Sequence, residues 1–259
     1  MPALHVHHFG PQGRAPDVLA LHGLTGHGLR WARMAAAEVP DARILAPDLR
    51  GHGRSPWAPP WGIDAHIADL VELLEEEAPE PVVLIGHSYG AAIAVHLARA
   101  VPEKIRALIL LDPAMGLDPD WALEIAGHFL ASPDYPHAQE ARDDKANGGW
   151  SDVPADVLDA DITEHLIDLP NGRVGWRICV PAAVAAWGEM ARPAVLPPAG
   201  LATTMVRATR VNPRFITDAY IADLHAHLGA QAQVLEVDNE HMIDQSRPDL
   251  VGELLRKAL

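Results

Sequence analysis

The chain has a single cysteine, Cys179, among 259 residues. No internal disulfide can form, and a reducing cytoplasm is the expected setting. No apolar run approaches the roughly 20 residues that cross a bilayer. Residues Met1 to Gly13 carry histidines and lack the basic-then-apolar order of an export signal. Basic side chains are scarce: 20 Lys and Arg face 35 Asp and Glu, a formal net charge of −15. That balance argues against a nucleic-acid partner and against an anionic membrane surface, since both need basic clusters. Although 15 histidines are present, no pair has zinc-hydrolase spacing, so neither a metal nor a cofactor is expected. Internal repeats and low-complexity tracts are also missing.

What remains is a globular composition, 49 % apolar and 21 % charged, in a chain long enough to bury a full sheet. Short runs rich in Val, Ile and Leu (Asp17–His22, Ala42–Ala46, Pro81–Gly86, Ile105–Leu111, Thr203–Arg207 and Gln233–Val237) alternate with helical patterns. This order predicts an α/β fold: a mainly parallel twisted sheet with helices on both faces. Leu4–Phe9 reads as a leading edge strand. Asp64 is placed to cap a helix whose Ile67, Leu70, Val71 and Leu74 share a face, with Pro79 beyond its end. Thr217 opens another that stops at Gly229, and Pro248 suits the first turn of the last.

Regularity breaks between Ala114 and Gly200, where Pro, Asp, Gly and four of the seven tryptophans (Trp121, Trp150, Trp176, Trp187) gather. Nearly ninety residues without a clear strand are too many for a loop. The expected organisation is therefore a core of residues 1–113 and 201–259 with residues 114–200 inserted as a mostly helical cap. This insert holds 14 acidic and 5 basic residues, a net of −9. Solubility explains that charge, and weak steering toward cationic or neutral substrates is the alternative.

The chemistry centres on Gly86-His87-Ser88-Tyr89-Gly90, between an apolar run and a small-residue helical stretch. Strand, sharp turn and helix form the setting of a nucleophilic serine, Ser88, lifted above a sheet. The following N–H, that of Tyr89, is aimed at a reacting carbonyl. Leu21-His22-Gly23-Leu24-Thr25-Gly26 ends an earlier strand in a glycine-rich bend, and the N–H of Leu24 is the natural second oxyanion donor. In Pro47-Asp48-Leu49-Arg50-Gly51-His52-Gly53-Arg54-Ser55, Asp48 and Arg50 read as loop supports.

His-Gly after one strand, PDLRGHGRS after the next, GHSYG and a late histidine together resemble the α/β-hydrolase family with an inserted cap. The resemblance runs from about Pro16 to the C-terminus and is weakest in the insert. It implies a Ser–acid–His order and esterase-like acyl transfer. The implied base is His241, after the Gln233–Val237 run, which takes the Ser88 proton and passes it to the leaving group. The acid departs from the pattern, because the position after the penultimate strand holds Asn212. Asp112, at the end of Ile105–Leu111, is the leading candidate, with Asn212 and Asp218 as alternatives. The reading is a cofactor-free serine hydrolase whose partner is a small-molecule acyl substrate, an ester or a lactone. Cleavage of a carbon–carbon bond or acyl transfer to peroxide by the same residues, and a non-catalytic ligand receptor, are the competing readings. The cap tryptophans fit either a substrate pocket or cap core. Trp31, Trp57 and Trp61 are expected to face the cleft, and Arg173–Arg177 to form a surface salt bridge.

Overall fold

The computed structural model describes residues 3–259; Met1 and Pro2, part of the N-terminal stretch and core boundary read above, lie outside them. In chain order the elements of the first half are β1 (Val6–Phe9), β2 (Val18–Leu21), α1 (Ala32–Glu38), β3 (Ile44–Pro47), α2 (Ile63–Glu77), β4 (Val82–His87), α3 (Tyr89–Ala100) and β5 (Ile105–Leu111). Then come α4 (Pro119–Ala131), α5 (Ala138–Asn147), α6 (Ala155–His165), β6 (Leu166–Asp168), β7 (Val174–Trp176) and α7 (Val180–Met190). The chain closes with β8 (Thr203–Ala208), α8 (Asp218–Leu228), β9 (Ala232–Val237), α9 (Ile243–Ser246) and α10 (Pro248–Ala258). Among the described residues no helix is long and apolar enough to cross a membrane.

Seven strands form one sheet in the order β1-β3-β2-β4-β5-β8-β9. Only β1 runs antiparallel to its neighbour; the remaining pairings are parallel. Strand alternation assigns each apolar residue to a face. Leu19, Leu21, Leu84, Leu108 and Leu110 pack with α2, α3 and α8. Val18, Ala20, Val83, Ile85 and Ile109 pack on the opposite side with α1 and α10. Covered on both faces, β4 is buried along all six residues, which is why its sequence reads as an unbroken apolar run. The parallel strands end on one edge, and the loops there bring distant segments together.

Several local expectations meet the structure differently. The cap position of α2 is Gly62, and Asp64 lies in the first turn, where its charge still suits the helix N-terminus. Thr217 caps α8 as read, its hydroxyl accepting from the N–H of Tyr220 at 3.1 Å. The segment between β5 and β8 carries four helices but also the hairpin β6–β7. Its three-residue strands are too short for alternation to show, although Pro170-Asn171-Gly172 between them has the residues of a turn.

The interior also holds histidines. Burial keeps His22 and His165 well below the ordinary imidazole value and lowers His27, while His52 falls to about 4 and His66 to about 3. An unfolded chain takes up these protons near pH 6.5, the folded chain only much lower, so unfolding is favoured as pH falls through that window. The contribution of these imidazoles to stability is therefore full above about pH 6.5. His52 and His66 together make it fall toward pH 3, each by roughly 3–5 kcal/mol. Urea midpoints measured between pH 7 and pH 4 should drop steadily; a flat profile would contradict these buried neutral imidazoles.

Candidate active site

Ser88 stands between β4 and α3 with φ 54° and ψ −121°, a left-handed conformation that costs a non-glycine residue about 1–3 kcal/mol. Main-chain bonds enforce it: Ser88 N–H donates to Leu111 O at 2.9 Å. Ser88 O accepts from Ala114, Ala91 and Ala92 at 3.2, 3.0 and 3.2 Å. The two motif glycines are needed for closeness. A Cβ on Gly86 would lie 2.5 Å from Gly90 O, and one on Gly90 only 2.3 Å from His22 O. Any larger residue would push α3 off the sheet.

Asp112 follows β5, also at positive φ (40°), with its N–H bonded to Val206 O at 2.7 Å. Its Oδ1 accepts from the Ala208 N–H at 3.0 Å and its Oδ2 lies 2.6 Å from His241 Nδ1. Asp112 is buried, whereas the His241 side chain keeps 19 % of its surface exposed. His241 comes from the loop after β9, and its ring lies 4.6 Å from the rings of both His87 and Phe215. Neither Ser88 Oγ nor His241 Nε2 is engaged by a hydrogen bond among the described residues. Contacts of this kind often close only around substrate.

After β2 the chain bends at Gly23–Gly26, with Thr25 at φ 58°. Among the described residues the N–H groups of Leu24 and Tyr89, the expected oxyanion donors, make no main-chain hydrogen bond. A Cβ on Gly23 would sit 3.0 Å from that of Ser88, showing how closely the bend approaches the serine. His22 fixes the bend: Nδ1 donates to Gly23 O at 2.8 Å and Nε2 accepts from Leu49 N–H at 2.9 Å. The latter bond ties it to the PDLRGHG loop. There Asp48 accepts from the N–H groups of Gly28 and Arg54 at 2.7 and 2.8 Å. Burial acts to raise its carboxyl, but His7 and these N–H donors hold it far below the usual range. Arg50 forms a buried two-pronged pair with Asp69. Both residues brace the loop, as read.

The other acid candidates lie elsewhere. Asn212 is exposed, and Asp218, 82 % exposed at its side chain, pairs with Arg207 at 2.6 Å. Arg173 pairs with Asp134 at 2.5 Å, the salt bridge expected of that stretch. Trp31 does not face a cleft; it is fully buried in the layer under α1 and α10. Trp121 and Trp187 meet edge to face, and Trp121 lies 5.7 Å from Phe215, extending an aromatic wall to His241. Trp57 and Trp176 line an apolar cavity of about 510 Å³ with Ile167, Leu169 and Ile178, whose walls include neither Ser88 nor His241.

Sequence reading missed the buried contacts between α5–α6 and the segment leading into α1. Asp161 is buried among Arg30 (2.7 Å), Lys145 (2.5 Å) and His27 (3.0 Å). Lys145 lies over Trp176 and Trp150 at 3.9 and 4.5 Å from the ring centres. Burial lowers its ammonium to about 8 against the pull of Asp161. A second tie joins Asp152 to the N–H of Glu240 at 2.7 Å, next to His241. Phe215 also went unread, being a lone aromatic in a loop.

A sequence model described as the alpha/beta hydrolase family matches residues 18–254. The chain is 50 % identical to the lipase LipV of Mycobacterium tuberculosis (strain ATCC 25618 / H37Rv), over 99 % of this chain and 97 % of that protein. It is 33 % identical to a pimeloyl-[acyl-carrier protein] methyl ester esterase of Chromobacterium violaceum, over 49 % of this chain and 44 % of that one. In fold it is similar to E-2-(acetamidomethylene)succinate hydrolase, with a TM-score of 0.78 at 18 % identity over 98 % and 94 % of the two chains.

Proposed function

The chain belongs to the alpha/beta hydrolase family, as an ester hydrolase, and from that premise we propose that it cleaves small carboxylic esters or lactones through an acyl-enzyme on Ser88. The 2.6 Å bond from His241 Nδ1 to Asp112 carries the reading. It leaves Nε2 as the basic nitrogen and places a carboxylate where imidazolium charge develops. Ser88 Oγ attacks the acyl carbon while His241 Nε2 takes its proton. The oxyanion is held by the N–H groups of Leu24 and Tyr89. Collapse breaks the ester bond, and the alkoxide leaves with the proton from His241. Water then adds to the acyl carbon, again losing its proton to His241, and the acid is released as Ser88 Oγ is reprotonated. Residues 114–200 act as a cap, and the wall of Trp121, Trp187 and Phe215 forms its apolar boundary beside His241.

A chromogenic short-chain ester tests this directly. A burst equal to the enzyme concentration, with the acyl mass found on the peptide containing Ser88, is the expected result. Ligand-dependent stabilisation with no turnover would point to a receptor instead.

A further inference from the structure

His87 stands beside the reacting residues yet has no part in the chemistry above. It is buried, and its Nε2 lies 2.9 Å from the main-chain oxygen of His241. Since a carbonyl only accepts, Nε2 carries the hydrogen. Among the described residues its Nδ1 has no hydrogen-bond partner and faces Asp244 Oδ1, likewise without one, at 3.6 Å. Burial lowers the imidazole from its ordinary value against the pull of Asp244. The other Asp244 oxygen accepts from Gln245 Nε2 at 3.0 Å, and that same amide donates to Arg30 O at 3.0 Å. Arg30 in turn donates to Thr25 O at 3.0 Å, within the bend that presents Leu24. These buried groups thus stand in series between the main chain of His241 and the oxyanion bend, hydrogen-bonded at each step except the 3.6 Å packing contact between His87 and Asp244.

We propose that His87 is a positioning residue for His241, the near end of a strut through Asp244, Gln245 and Arg30 that holds the base in register with the oxyanion bend. The inference rests on the reading of His241 as the base. Asp112 fixes the ring at Nδ1, but the ring swings with its loop unless the backbone is fixed as well. The His87 N–H supplies a side-chain hold on that backbone, at a carbonyl that also accepts from the Ile243 N–H at 2.9 Å and beside the Asp152 tie to Glu240. Gly23 keeps the space clear, since a Cβ there would lie 2.9 Å from His87 Nδ1.

The test compares His87→Ala with His87→Gln, whose amide N–H reaches toward the same carbonyl. His87→Ala is expected to lower kcat about tenfold to a hundredfold, with KM within about twofold. It should also shift or broaden the downfield proton resonance of the His241–Asp112 bond. His87→Gln should restore both. A kcat for His87→Ala within about threefold of the parent, or a Gln variant no better than Ala, overturns the proposal. Should His87→Ala not fold, the far side asks the same question. Asp244→Asn offers an N–H to Nδ1 and an oxygen to Gln245, so it should retain kcat and melt higher, while Asp244→Ala should lose kcat. Equal kcat in those two variants also overturns the strut. The resonance is read without substrate, so it decides on the strut even where turnover by Ser88→Ala has removed the hydrolase reading.

Discussion

Ser88→Ala is expected to abolish ester turnover, by about a millionfold in kcat, while the protein stays folded. The two halves of this expectation have separate causes. Without Oγ no acyl bond can form, and the remaining imidazole and amides can only assist water. Stability is spared because Oγ has no hydrogen-bond partner among the described residues, so its removal orphans nothing. Ser88→Gly sharpens the contrast. Glycine adopts φ 54° without the clash a Cβ brings, so this variant should be equally inactive yet melt higher than the parent, by up to about 1–3 kcal/mol of relieved strain. Steady-state hydrolysis and a thermal melt on both variants check this. Residual turnover near the parental rate would remove Ser88 from the nucleophile's place.

The sheet was legible because parallel strands buried on both faces leave dense Val, Ile and Leu runs. The serine turn was legible because Gly86 and Gly90 are dictated by contacts under 3 Å that no other residue survives. Position after a strand pointed to His241, and for the acid it left Asp112, Asn212 and Asp218 open; of these Asp112 is the one that meets His241, at 2.6 Å. The parts that escaped share a different physics. Asp161 with Arg30, His87 with His241, and Asp152 with Glu240 are partners separated by 131, 154 and 88 residues. Periodicity describes one element at a time and is silent on such pairs. A buried ion such as Lys145 is equally hidden, since as a sequence feature it reads as an exposed charge until its two tryptophans are placed. Trp31 misled for a related reason: its loop is at the cleft, but the short helical turn leading into α1 directs the indole to the opposite layer.

Asp112→Asn is expected to lower kcat by about four orders of magnitude, with a small change in KM and no loss of fold. The fold survives because asparagine tolerates positive φ better than most residues, and position 112 sits at 40°. The activity does not, because the carboxylate uses both oxygens: one accepts from Ala208 N–H, the other from His241. An amide has one oxygen. Given to Ala208, it turns the NH₂ toward His241 Nδ1, which must then accept. The ring hydrogen moves to Nε2, the nitrogen that should receive the serine proton, and the base is lost to the wrong tautomer. The controls follow from the same geometry. Asn212→Ala, at an exposed side chain, and Asp218→Asn, on the Arg207 pair, should each leave kcat within about twofold. An Asp112→Asn enzyme near parental turnover, or an Asn212→Ala enzyme as impaired as expected for Asp112→Asn, would move the acid of the triad away from β5.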